Sequence, residues 1–120
     1  MIDDAAAPIV LRAAPKVIEA WYRDTMLIAE QRGRVVGFLA VDESRAEITS
    51  FYVAAPGNGI GTVLMAAARR GRARLSLWTC QANEGARRFY LRAGFREGQR
   101  TEGENDEGLP DVEYRWKQAT

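Results

Sequence analysis

Three glycines at alternate positions, Gly57, Gly59 and Gly61, stand between a β-branched, aromatic run and an apolar run of helical period. Glycine leaves no Cβ between a ligand and the backbone N–H groups. The first turn of a following helix adds N–H groups without intrahelical partners and the positive end of the dipole. Phosphate is the chemistry this arrangement suits, and a plain tight strand-to-helix turn is the alternative. Two sharper readings fail. A phosphate-binding NTPase loop needs Gly-Lys-Ser/Thr, and no lysine is near. A dinucleotide fingerprint needs glycine where Thr62 stands, and an acidic residue about 20 positions on, where Cys80-Gln81-Ala82 stands.

The remaining reactive residues narrow the field. The chain has no histidine and one cysteine, Cys80. Ser-His-Asp and Cys-His relays, His-ligated zinc and an intramolecular disulfide are therefore excluded, and no metal site is expected. A general base must be a carboxylate, a tyrosine, a lysine, the α-amine or water. Of 17 basic residues only Lys16 and Lys117 are lysine. One thiol and no signal-like start predict a reducing, cytoplasmic setting. No apolar run nears the roughly 18 residues of a membrane span, so a soluble protein is expected.

The net charge of +1 conceals a split. Residues 69–100 hold nine arginines against Glu84 and Glu97; residues 101–113 hold six acids and no base. Nucleic acid, an anionic cofactor or solvated faces would each fit the arginines. Interleaved aromatics and a recognised nucleic-acid module are missing, so no nucleic-acid partner is expected.

The elements around these residues follow from periodicity. A chain of 120 residues is expected to be one domain, with 1–24 a short N-terminal segment and 25–116 the functional core. Val17, Ile18, Ala20 and Trp21 predict a short amphipathic helix over 14–23. Thr25–Ala29, Val35–Val41 and Ile48–Val53 read as a three-stranded antiparallel meander turning at Gln31-Arg32-Gly33 and at Asp42-Glu43-Ser44-Arg45. Ile60, Val63, Leu64, Ala67 and Ala68 form one face of a helix. Leu75–Thr79 reads as a strand. A second helix has Asn83 as N-cap, Ala86, Phe89, Tyr90 and Ala93 as its buried stripe, and Gly94 as its stop. A final strand pair surrounds the acidic turn. The expected fold class is α/β (α+β layered), a mixed, mostly antiparallel sheet flanked by helices. Trp21, Trp78 and Trp116 are expected in the core.

Three segments in this order resemble the GNAT N-acetyltransferase superfamily: Glu47-Ile48-Thr49-Ser50-Phe51-Tyr52-Val53, Gly59-Ile60-Gly61-Thr62-Val63-Leu64, and Asn83…Ala86…Phe89-Tyr90…Gly94-Phe95. The resemblance covers roughly 25–116 and implies acetyl-CoA. The pyrophosphate would meet backbone amides of Gly57, Asn58, Gly59, Ile60, Gly61 and Thr62. The pantetheine arm would pair with backbone at Phe51, Tyr52 and Val53, and Asn83 would border the cofactor while capping its helix. Tyr90 matches the position that protonates the leaving thiolate, with a phenol near pKa 10; membership of the buried stripe is its other reading. Glu47 matches a position where some relatives carry a catalytic base, against the reading of an exposed strand-opening residue. Cys80 is expected to be a packing thiol.

The resemblance also has departures. Relatives usually carry Gln or Arg where Pro56 stands, the loop is about two residues shorter than common, and only about 24 residues precede the first clear strand. The implied activity is acetyl transfer to a primary amine of a small molecule or peptide. The alternative is a CoA-binding or structural module of the same fold without turnover. A homodimer would complete a pocket left open by the short N-terminus. The acidic segment 102–111 is either a solvated hairpin or a feature favouring a cationic acceptor.

Overall fold

The computed structural model describes residues 7–14, 24–105 and 107–119. The chain divides into two compact units, Met1–Gly71 and Arg72–Thr120.

The first unit holds β1 (Ile9–Ala14), β2 (Asp24–Gln31), β3 (Arg34–Asp42), β4 (Glu47–Val53) and α1 (Ile60–Arg69). The strands pair antiparallel in sequence order. The expected meander is therefore present. Arg32 and Gly33 have φ of 55° and 76°, and Gln31 faces Arg34 across the turn. Two positive φ values in a two-residue loop define the primed turn, whose twist matches that of the strands. At the next turn the Asp42 carboxylate accepts from Ser44 N at 3.0 Å and Ser44 Oγ at 2.6 Å.

The amino-terminal region needs correction. Ile9–Ala14 is a strand, so the first strand begins well before residue 24. Its weak signal has a physical reason: Val10 is 56% exposed and Arg12 pairs with Glu30 at 2.7 Å, so this strand at the end of the unit's order lacks a continuous apolar run. Of the expected helix over 14–23, Ala14 belongs to β1, and 15–23 lie outside the described residues.

A bulge separates Ala29 and Glu30 in the β2–β3 register, leaving Val36 unmatched. The Val36 carbonyl accepts from Ala54 N at 2.8 Å, which ties the start of the glycine loop to the sheet. Beside it, a Cβ on Gly37 would come within 2.8 Å of the Tyr52 carbonyl oxygen and 3.0 Å of Ile60 Cγ2. Glycine at 37 thus lets α1 rest on the backbone of β3. Ile60, Leu64, Met65 and Ala68 are buried on α1, above a core that includes Leu39, Val41 and Ile48.

The second unit holds β5 (Arg74–Cys80), α2 (Glu84–Arg92), β6 (Arg96–Arg100) and β7 (Asp111–Lys117). Strand β7 pairs antiparallel with both β5 and β6. Leu75, Leu77, Val112 and Tyr114 are buried. The alternate residues on β5 and β7, including Trp78 and Asp111, point to the opposite face. Trp78 is 38% exposed, which corrects its expected place in the core. All of β6 is exposed, and its charged residues suit an edge strand. Among the described residues, no helix is long and apolar enough to cross a membrane.

Candidate functional site

The sequence-derived candidates fall in both units, and each group has its own geometry. In the first unit, the loop from Ala54 to Gly59 is exposed. Gly57 and Gly59 have φ of 90° and 78°, in the left-handed region that a side chain resists. Apart from the adjoining residues, an added Cβ at either position meets nothing within 4 Å among the described residues, so backbone conformation and not crowding demands glycine there.

Gly59 is the N-cap of α1, and among the described residues no side chain caps this end. The first intrahelical bond runs from Val63 N to Gly59 O at 3.1 Å. The N–H groups of Ile60, Gly61 and Thr62 therefore precede the helical ladder, and no acidic residue occupies the first turn. A dipole end with neither cap nor counter-charge favours an anion. The residues present thus fit a pyrophosphate without any help from a side chain at Pro56.

Leading into that loop, Phe51, Tyr52 and Val53 pair with Leu39, Phe38 and Gly37 of β3. Tyr52 is half exposed and its ring lies 5.5 Å from that of Phe38. Glu47 opens the same strand. Its side chain is only 14% exposed and pairs with Arg45 at 3.0 Å. Glu47 is therefore not the exposed strand-opening residue of the simpler reading. It is a largely buried carboxylate with one oxygen held by a guanidinium.

In the second unit, Asn83 caps α2: its Oδ1 accepts from Ala86 N at 3.1 Å. At the other end, Phe95 N donates to Tyr90 O at 2.9 Å and Gly94 N to Leu91 O at 3.1 Å. With Gly94 at φ 93°, these bonds form a Schellman motif. The apolar contact that accompanies such a motif is here Tyr90 against Phe95, with centroids 6.0 Å apart. The spacing Phe-Tyr-x-x-x-Gly-Phe is thus the spelling of a helix stop that pins the tyrosine.

Tyr90 is 9% exposed and also lies 5.6 Å from the rings of Phe89 and Tyr114. Burial pushes its phenol up to about 12, above the value near 10 expected from the sequence. Tyr90 thus packs in the stripe, and it carries a proton that is hard to remove.

Other polar residues missed by motif reading make the framework. Arg87 donates to Tyr114 Oη at 3.1 Å and to the Gln81 carbonyl at 3.0 Å, and lies 3.6 Å from Glu97. The Tyr114 hydroxyl holds the guanidinium above its ordinary range. Arg87 is thus a structural fastener, and Arg88 lies 4.0 Å from Glu84 one turn back. Gln81 donates to the carbonyls of Thr101 at 2.9 Å and Asp111 at 3.1 Å, closing the neck of the acidic loop. Cys80 is a free, partly exposed thiol.

Comparison with known proteins follows this geometry. Residues 8–118 match the family described as the acetyltransferase (GNAT) domain. An uncharacterized N-acetyltransferase of Methanocaldococcus jannaschii is 38% identical over 96 residues, 67% of this chain and 42% of that protein. The chain thus spans less than half the length of that relative. Among solved structures, the IAA acetyltransferase of Bacillus cereus aligns with a TM-score of 0.78 at 19% identity, over 92% of this chain and 100% of that one. A GNAT family acetyltransferase of Elizabethkingia anophelis, solved with acetyl-CoA bound, aligns with a TM-score of 0.72 at 14% identity, over 92% and 98%. The layered α/β, mostly antiparallel fold is theirs. With its family match running from before β1 to beyond β7, the chain belongs to the GNAT acetyltransferase superfamily.

Proposed function

We propose that this chain is an N-acetyltransferase that moves an acetyl group from acetyl-CoA directly to a primary amine of a small molecule or peptide. The observation that carries the reading is the bare amino terminus of α1, where Ile60, Gly61 and Thr62 offer N–H groups behind two left-handed glycines. The Elizabethkingia relative was solved with acetyl-CoA bound, which supports the same choice of donor here.

Acetyl-CoA supplies an acyl group activated as a thioester: the amine nitrogen forms the N–C bond, the C–S bond breaks, and the nitrogen loses a proton as the sulfur gains one. The chain's own residues then have separate tasks. Amides of Gly57 to Thr62 hold the pyrophosphate, and the backbone of Phe51 to Val53 aligns the pantetheine arm. Asn83 keeps its carbonyl on the helix cap and borders the cofactor with its amide. Tyr90 Oη donates toward the departing sulfur. Glu47 accepts the amine's proton, directly or through water, through the oxygen that Arg45 does not hold. No histidine or cysteine relay enters this scheme, which agrees with a chain that has no histidine. The whole of 1–120 acts as one acetyltransferase domain, in a cytoplasmic setting and with a homodimer as its assembly.

The test is a thermal-shift titration with acetyl-CoA, followed on the same sample by thiol-release assays over amine classes. The expected result is a shift that saturates, with thiol release dependent on an amine. A saturating shift without release on any amine would replace this reading with a CoA-binding module. Absence of a shift would remove the cofactor assignment.

A further inference from the structure

The open face of β5, β7 and β6 takes no part in the roles proposed above, and its charge is sorted from one end to the other. The β5–β7 register sets four rows on it: Arg74 with Lys117, Ser76 with Arg115, Trp78 with Glu113, and Cys80 with Asp111. Strand β6 adds Arg96 beside Arg115. Arg74, Arg96 and Lys117 are exposed, and among the described residues they form no ion pair. The middle is neutral, because Arg115 pairs with Glu113 at 2.7 Å. At the far end Glu107 joins Asp111, in one cleft with Trp78 and Cys80. A cationic end and an anionic end thus lie about 20 Å apart along the strands, with the exposed indole of Trp78 between them.

Such a face is complementary to itself. A two-fold axis across the strands, between the second and third rows, lays a second copy on it end for end. Each strand then faces its own counterpart, and Lys117 comes opposite Asp111 of the partner subunit. Arg74 comes to the end that holds Glu107 of the partner subunit. Size matches as well as charge. Trp78 comes opposite Ser76 of the partner subunit, and Arg96 opposite Gly98 of the partner subunit. Gly98 sits against Glu113, where an added Cβ would lie 2.7 Å from Oε1. An axis along the strands would instead set cationic rows on cationic rows. A polyanion suits one end of the face and is repelled by the other. A partner must carry both charges in reverse order, and a second copy does.

We infer that this face is the homodimer interface, an isologous contact of β5, β7 and β6 with the same strands of a second copy. The inference rests on the homodimer proposed above and is independent of the acetyl transfer.

The test is sedimentation velocity of the full chain over a dilution series. Wild type should dimerise, and its Kd should rise at least about tenfold between about 50 mM and 500 mM salt as screening sets in. Arg74→Glu with Lys117→Glu reverses the cationic end. Glu107→Lys with Asp111→Asn reverses the anionic end and leaves an acceptor for the Thr101 hydroxyl. Each double variant alone should be monomeric, because like charges then meet. Their equimolar mixture should recover a dimer with one copy of each, which also shows that both are folded. Ser76→Trp leaves every charge in place and should raise the Kd at least about tenfold by crowding Trp78 of the partner subunit. A dimer indifferent to the reversals leaves the homodimer standing and overturns this face. Monomeric wild type overturns both, while acetyl-CoA binding, read by thermal shift, judges the transfer reading separately. Folded variants that stay monomeric when mixed also overturn the inference. Should circular dichroism show either double variant unfolded, Ser76→Trp decides: wild-type affinity there overturns it.

Discussion

Tyr90 is surrounded by Phe89, Phe95 and Tyr114, and its phenol is raised to about 12 by loss of solvation. It therefore keeps its proton throughout the neutral range, and in the proposed reaction it acts as a donor, never as the base. Full transfer to a thiolate of ordinary pKa near 8.5 would be uphill by roughly 5 kcal/mol, so in the proposed reaction its main contribution is a hydrogen bond that strengthens as the C–S bond breaks, with the sulfur's proton then taken from water. Tyr90→Phe should lower kcat by about 100-fold, with acetyl-CoA affinity little changed. Wild-type turnover in that variant would end the assignment. The same shift has a consequence for folding. A phenol harder to ionise in the folded state contributes stability that is fully present below pH 10 and is lost as pH rises toward about 12. The loss amounts to about 3 kcal/mol across that window. Urea unfolding from pH 9 to 12 should therefore show a steeper alkaline decline for wild type than for Tyr90→Phe; parallel declines would contradict the burial argument.

At the level of elements, glycines decide where the helices sit. Gly94 holds φ 93° in the helix stop that fixes Tyr90. Gly94→Ala should cost about 1–2 kcal/mol through the left-handed conformation alone, because the nearest side-chain atom, Trp116 Cδ1, is an ordinary 3.6 Å from an added Cβ. Gly37→Ala has the opposite origin. A Cβ would press on the Tyr52 carbonyl at 2.8 Å and on α1, so the expected loss is about 1–3 kcal/mol from overpacking. Chemical denaturation of the two variants checks both, and an unchanged midpoint for Gly37→Ala would mean that α1 does not rest on β3 as described. These elements also mark what the sequence makes legible. The meander, both helices, the Asn83 cap and the Gly94 stop can be read because apolar period and cap chemistry agree there. Strand β1 escapes because its exposed Val10 and paired Arg12 break the alternation of a half-buried strand. Trp78 is mistaken for core because composition is read ahead of period. It alternates with Leu75 and Leu77, and that parity alone sends it to the open face. Gln81 carries no motif at all, since its bonds to Thr101 and Asp111 join residues 20 and 30 positions away.

For the whole molecule, the absence of histidine shapes the response to pH as much as the mechanism. No side chain in the sequence has an unperturbed pKa between 5 and 8, the interval in which histidine ordinarily titrates. Stability should therefore be nearly flat from pH 6 to 8. Below that plateau the carboxylates take over. Asp42 is held below the ordinary aspartate range chiefly by the Ser44 hydroxyl, and Glu97 below the glutamate range chiefly by Arg100. A carboxyl lowered in the folded state contributes stability that is present above its unfolded value and is lost as pH falls through its folded one. The acid limb should therefore begin only below about pH 4.5, where unfolded carboxyls take up protons, and Ser44→Ala should shift its Asp42 portion upward. Activity should behave differently from stability on the plateau. In the proposed reaction the acceptor amine must lose a proton before it attacks, so kcat/KM should rise with pH across 6 to 8 while the unfolding midpoint does not move. Measuring both on one preparation separates the acceptor's titration from the protein's. A matching slope in stability would place the titrating group in the fold instead, and would remove the argument that this chain acts by direct transfer without a relay.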